Sequence, residues 1–355
     1  MICNFVCSGS RWRRRFGALT AAAFVVLMFL TTRPAFCANQ IISFDPPGST
    51  MTQVMGVNLS GTVVGTYSDS QGTHAYLRDS SGSITTFDVS GPSGTEAWGI
   101  NDNGDIIGNY IIAGVTHGFL RSAAGVYTEI DVASGVSTYP LSINNSGEIA
   151  GVYSAPTYGT IAFVRDASGN ITTFDPPSTT WLEQVKVNSV GQITGYGYYE
   201  GSFTHSFFRN AEGALFNFDA PGASTAASDG TFGADINDNG DIGGWFVDAN
   251  YASHGFVRNA VGTFTVFDVP GAATIANVAA INISGEIAGT YIDAANVYTA
   301  FIRDATGNIT SFVDSYAGTK PVQGTLARCM NRYGAIAGNY IAGGGKWHGF
   351  FREGQ

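Results

Sequence analysis

Cysteine is nearly absent from the body of this 355-residue chain. Cys3, Cys7 and Cys37 lie in the first 38 residues, and Cys329 stands alone beyond them. That excludes a disulfide framework, so the remaining residues, about 315, must be held by a hydrophobic core, which a chain of that length can supply. Positive charge is scarce too. Without the five arginines of the first 38 residues, 12 Lys+Arg face 27 Asp+Glu, a formal net charge of −15. Phosphate backbones and anionic membrane surfaces both need clustered Lys/Arg, so nucleic acid and lipid headgroups are poor partners for such a chain. Sustained helical periodicity with caps is missing from the body. No nucleophile elbow, zinc-binding helix motif or nucleotide loop is present.

Only one long apolar run occurs, Phe16 to Leu30, behind Arg11, Arg13, Arg14 and Arg15, in a segment with no Asp or Glu. Its length of about 15 residues is short of the ~20 that a spanning helix needs. Residues 1–38 read as a secretory signal peptide, with an uncleaved anchor as the alternative and the only route to a membrane. The exit Ala35-Phe36-Cys37-Ala38 offers no clean small-x-small pair, and Arg13-Arg14-Arg15-Phe16 is a weak twin-arginine signal beside plain secretion. The expected location is secreted or periplasmic.

What is present is a repeat. Seven times an apolar residue precedes Asn, then two residues, Gly, three residues, Gly, and later an aromatic two before Arg. The asparagines are Asn58, Asn101, Asn144, Asn188, Asn237, Asn282 and Asn331; the arginines are Arg78, Arg121, Arg165, Arg209, Arg258, Arg303 and Arg352. A period of 43 to 49 residues is the length of one small β-sheet. In the second unit, Ala97–Ile100, Asp105–Ile111, His117–Arg121 and Val126–Ile130 read as four short strands joined by Gly-rich turns.

The last unit ends at Arg352 without a fourth strand, whereas Ile41-Ile42-Ser43-Phe44-Asp45 precedes the first Asn and matches Thr85-Thr86-Phe87-Asp88. The N-terminal strand is therefore expected to complete the C-terminal sheet. The fold class that follows is all-β: a seven-bladed β-propeller of four-stranded antiparallel sheets over residues 39–355, closed by the N-terminal strand. An open β-solenoid is the competing architecture.

The tripeptides His74-Ala75-Tyr76, His117-Gly118-Phe119, His205-Ser206-Phe207, His254-Gly255-Phe256 and His348-Gly349-Phe350 each follow an Asn-x-x-Gly-x-x-x-Gly element. In this the chain resembles the extracellular repeat family named for a His-Ala-Phe tripeptide (HAF repeat), and the likeness covers nearly all of the body. Ile161 and Thr299 replace His in two units. The resemblance implies export and a repeat fold, and brings no reaction with it.

All five histidines sit on the third strand, where equivalent positions of different blades diverge and cannot share one metal. Each is expected to bond backbone or a carboxylate. The repeated Arg and the Asp ten residues after it (Asp88, Asp131, Asp175, Asp219, Asp268) suggest bidentate pairs that lock neighbouring blades. Two loops, Asn101-Asp102-Asn103-Gly104-Asp105 and Asn237-Asp238-Asn239-Gly240-Asp241, carry oxygens suited to calcium: Asn101, Asp102, Asp105, Asn237, Asp238 and Asp241. The other five units make the same turn without them, so turn chemistry is the stronger reading and no cofactor is required.

Departures from the repeat point to function. Two before the Asn, where other units carry mostly small residues, stand Lys186 and Asp235; one position earlier, Arg328 breaks an otherwise uncharged series. Ionisable groups near a channel mouth are site candidates, although Lys186 and Asp235 are equally placed to pair with each other or face solvent. The longest connections, Ala220 to Ala234 and Ser315 to Ala327, lie just upstream, and Trp98, Tyr139, Trp181 and Phe232 enter the same region. An aromatic-rimmed basin on an acidic ring suits a neutral glycan or a peptide. Two functions follow: an exported monomeric scaffold binding carbohydrate or a cell-surface protein, or a lyase or hydrolase using Lys186, Asp235 and Arg328. A purely structural envelope component shares every feature of the first.

Overall fold

Four strands per repeat follow from two glycines and one asparagine. In the second repeat the strands are Thr95–Ile100, Ile106–Ile112, Val115–Arg121 and Tyr127–Ile130. Asn101 Oδ1 accepts the N–H groups of Asn103 (3.1 Å) and Asp105 (2.9 Å), and Gly104 closes the turn at φ +85°. The second glycine has a different task. A Cβ on Gly108 would stand 1.9 Å from the Glu96 carbonyl oxygen and 2.7 Å from the Phe119 ring. Its absence lets Phe119 lie on the neighbouring strand, where that ring is 1% exposed. Tyr76, Phe163, Phe207, Phe256, Phe301 and Phe350 hold the equivalent buried position in the other repeats. Each contributes about 1.5–3 kcal/mol by burial.

The computed structural model describes residues 40–89, 94–155, 159–199, 203–227 and 229–354, so the expected leader at 1–38 lies outside the described residues. They hold 28 strands and no helix, and hence no helix able to cross a membrane. Five sheets are four-stranded and antiparallel. The sixth has eight strands, so the hydrogen-bonded sheets number six rather than the expected seven. A single parallel pair, Tyr298 with Gly324, joins its two halves. The long connection before Gly324 causes the fusion: Tyr298 N–H donates to the Gln323 carbonyl (2.7 Å) and Val322 N–H to that of Asn296 (2.8 Å). The other long connection behaves likewise, with an isolated parallel bridge between Thr204 and Gly230.

The N-terminal strand Ile41–Phe44 pairs antiparallel with Trp347–Arg352, Ile41 opposite Arg352 and Phe44 opposite Gly349. Further bonds join the last repeat to the first. Asn339 Nδ2 donates to the Thr52 carbonyl (2.9 Å), and Asn331 Nδ2 donates to that of Asn58 (3.0 Å). The same asparagine link runs from Asn58 to Asn101, Asn101 to Asn144, Asn144 to Asn188, Asn188 to Asn237 and Asn237 to Asn282, at 2.9–3.2 Å. One side chain thus builds its own turn with its oxygen and grips the next repeat with its nitrogen.

Among the described residues no ion pair is seen between the repeated Asp and Arg78, Arg121, Arg165, Arg209, Arg258 or Arg303, which corrects the expectation of bidentate locks. Asp88, Asp131, Asp219, Asp268 and Asp45 instead meet Nδ1 of His74, His117, His205, His254 and His348, at 2.6–2.8 Å. The phenylalanine before the Asp is the arginine's partner. Arg121 lies over Phe87 (4.7 Å to the ring centroid), Arg209 over Phe174, Arg258 over Phe218, Arg303 over Phe267 and Arg352 over Phe312, each ring from the preceding repeat. Arg78 lies over Phe44 at 5.2 Å. A guanidinium buried at a seam sheds water more easily onto a ring face than a lone carboxylate does, and the Asp is already engaged.

Candidate functional site

A bulge in the first strand of most repeats aims the residues that line the interior. Pairing with the second strand skips Met55, Trp98, Leu141, Ala234, Ala279 and Arg328. A bulged residue turns its side chain out of the ladder, here toward a space where the first strands meet. In the fourth repeat the pairing skips Thr180 and Glu183, the latter two positions earlier than the series would place it.

Two adjoining cavities occupy that space. The narrower, about 190 Å³, is lined from all seven repeats, by Met55, Trp98, Leu141, Lys186, Asp235, Ala279 and Arg328 with their neighbours. The wider, about 320 Å³, takes Trp98, Glu183, Lys186, Tyr196, Trp245, Asn277 and Arg328 among its walls. Lys186, Asp235 and Arg328 therefore share one cavity. Lys186 and Asp235 form no ion pair among the described residues; the Asp235 carboxylate accepts the Ile281 N–H (3.0 Å). Burial raises its pKa against the attraction of Lys186. Burial likewise holds the Cys329 thiol neutral, pushed up to about 12, and depresses the Arg328 guanidinium, whose Cζ is 5.4 Å from the Trp347 ring centroid.

The aromatic candidates divide. Trp98 lines both cavities, its Nε1–H donating to Asn109 Oδ1 (2.5 Å). Phe232 stacks on Trp245 (4.8 Å, 3° between planes), with Tyr196 edge-on to both. Phe232 therefore backs the wall rather than lining it. Tyr139 packs into the core beside Leu182 and Phe207, and Trp181, 42% exposed, belongs to neither cavity. Of the two long connections only Ala234, at the end of the first, lines a cavity; described residues of both bond back onto neighbouring hairpins. Tyr196 and Trp245, on second strands, and Asn277, on a bulged first strand, escaped the sequence reading because they lie outside the repeat positions compared.

The oxygens of the two acidic loops accept N–H donors. Asp102 accepts Leu59 N–H (2.8 Å) and Asn145 Nδ2 (2.6 Å); Asp105 accepts Asn101 Nδ2 (3.2 Å) and Ala123 N–H (3.3 Å). Asp238 accepts Ser189 N–H (2.9 Å) and pairs with Arg332 (3.2 Å), and Asp241 accepts Asn237 Nδ2 (3.3 Å). Elsewhere, His117, Glu129 and Asp131 bring their ligand atoms within 4.8 Å of one another, on the outer strands of one repeat. Burial raises Asp131, and the Tyr110 hydroxyl donates to Glu129 (2.9 Å).

No protein-family model matches the chain, and no curated protein matches it. Solved structures do. A streptogramin B lyase superposes with a TM-score of 0.60 at 16% identity, over 88% of this chain and 97% of that one. A catalytically inactive histidine-to-alanine variant of virginiamycin B lyase from Staphylococcus aureus, with quinupristin, gives 0.59 at 13%, over 88% and 99%. An acylaminoacyl peptidase from Pyrococcus horikoshii gives 0.58 at 8%, over 86% of this chain and 52% of that one. At these identities the likeness is one of fold, so the chain is an all-β protein of repeated four-stranded sheets resembling propeller structures.

Proposed function

We propose that the chain is an exported binding scaffold of the HAF-repeat kind, built as seven four-stranded blades closed by its N-terminal strand. Its ligand, a carbohydrate or a surface protein segment, is taken where the first strands converge. The blade count rests on treating the eight-stranded sheet as two blades bridged by one residue pair. The observation that carries the binding reading is convergence: the aromatic candidate Trp98 and the two charged departures Lys186 and Arg328 line one cavity of about 320 Å³. The leader-like first 38 residues support export.

A glycan-array screen of the chain beginning at residue 39 tests it. Binding that disappears in Trp98→Ala supports the site, whereas unchanged binding in that variant, or silence across the array, removes the carbohydrate reading.

Convergence of Lys186, Asp235 and Arg328 in the narrower cavity favours a second reading, a lyase or hydrolase. The inactive virginiamycin B lyase variant ties that enzyme's activity to a histidine. Here all five histidines lie on third strands and none lines either cavity. Any catalysis would need a different acid or base, with Asp235 the carboxyl of the narrower cavity and Glu183 that of the wider. Turnover of a bound glycan that is lost in Asp235→Asn would favour the enzyme.

A further inference from the structure

The body's 12 cations are almost all accounted for. Seven are the repeat arginines at the seams. Of the other five, Arg332 pairs with Asp238 (3.2 Å) and Lys346 with Asp45 (3.7 Å), while Lys320 is on an exposed connection. Lys186 and Arg328 remain. Both line the same two cavities, and neither has an ion-pair partner among the described residues. In a body with a net charge of −15, two of the five cations outside the seams line the same two cavities.

Each cavity sets only one carboxylate against these two cations, Asp235 in the narrower and Glu183 in the wider. Asp235 is directed to the Ile281 N–H, and Glu183 at the wider cavity is solvent-exposed. The Cys329 thiol is held neutral, and Trp347 offers Arg328 only a ring face. Asn277, which also lines the wider cavity, has its Oδ1 buried with no hydrogen-bond partner. Partly buried cations short of counter-charge and an amide without a donor are both unfavourable, and both are relieved by one ligand that brings an anion and a hydroxyl. Trp98, Tyr196 and Trp245 supply flat apolar surface for a ring beside it.

We infer that the ligand of this cavity is an acidic oligosaccharide, its carboxylate or sulfate held between Lys186 and Arg328 and a ring hydroxyl donating to Asn277. This rests on the binding reading above and replaces the expected neutral ligand with an anionic one. Arg328 presents a planar fork suited to a carboxylate or sulfate edge, and Lys186 a point charge.

Isothermal titration of the chain beginning at residue 39 with three matched trimers tests it: galacturonic acid, sulfated galactose and neutral galactose. The expected result is binding of one or both acidic trimers, weakened at least about tenfold in Lys186→Gln and by raised salt, with the melting temperature unchanged. Preference between carboxylate and sulfate identifies the anion. Equal binding of the neutral trimer, or an acidic trimer that binds Lys186→Gln as well as the parent, overturns the anion and leaves the binding site standing. Silence of all three, together with a silent glycan array, overturns both.

Discussion

Asn331 donates its side-chain N–H to the carbonyl of Asn58, 273 residues earlier, at 3.0 Å. Its Oδ1 meanwhile accepts from Tyr333 (3.1 Å) and Ala335 (3.0 Å), so one amide holds a local turn and the junction between the chain's two ends. Asn331→Ala should cost about 1–3 kcal/mol, from buried polar groups left without partners. Asn282, whose Nδ2 goes to Glu286 of its own turn, should cost less on the same change. Urea unfolding of the two variants decides it; equal losses would make the junction bond energetically silent.

The arginine–phenylalanine seams should be measurable one at a time. A double-mutant cycle on Arg121→Met and Phe87→Leu should give a coupling of about 0.5–2 kcal/mol, as a partly desolvated cation–ring contact does. For Arg165 the equivalent repeat position is Ile130, which has no ring, and the parallel cycle there should give about 0.3 kcal/mol or less. Comparable couplings at both seams would mean that packing, not the ring's charge distribution, binds the repeats together.

Two glycines of one motif should fail differently. Gly108→Ala drives a methyl group into the Glu96 carbonyl and the Phe119 ring, and should cost about 3 kcal/mol or more. Gly104→Ala meets only the Ala123 methyl group at 3.2 Å and a left-handed backbone, at a cost of about 1–2 kcal/mol. Thermal unfolding followed by far-UV circular dichroism ranks them. Reversal of the order would show that backbone conformation outweighs the ring contact.

Acid and base should act on separate groups. Burial opposes the charge of His74, but Asp88 and Asp69 outweigh it and raise its pKa above 6.5. The stability gained is complete below pH 6.5 and is lost as pH rises through the folded value. His74→Gln should therefore destabilise at pH 5.5 and approach the parent by about pH 8.5. Asp304 runs the other way. Asn308 and Thr306 donate to its carboxylate and lower its pKa to about 2, so its contribution is present above pH 3.8 and lost as pH falls toward 2. Carboxyl NMR titration reads Asp304 directly; a midpoint near 3.8 would remove the hairpin bonds as its cause.

By itself the sequence determined the strand count per repeat, the turns and the supply of a terminal strand. Each is a local consequence of residue type: asparagine oxygens that satisfy turn amides, glycines that admit a left-handed turn or a ring, and alternation over a few residues. It also marked Lys186, Asp235 and Arg328, because a charge interrupts a series that is legible by alignment alone, and Trp98 as an aromatic entering the same region. Only tertiary structure decided who meets whom. Arg121 and Phe87 lie in successive repeats, and His117 and Asp131 sit across one pair of strands, so spacing alone suggested an Arg–Asp pairing that Arg121 does not make. Tyr298 and Gly324 joined two sheets through a connection whose path no local signal encodes. Asn277, beside a bulge, lines the same cavity as Lys186, and a one-residue shift in pairing reverses which face a side chain takes.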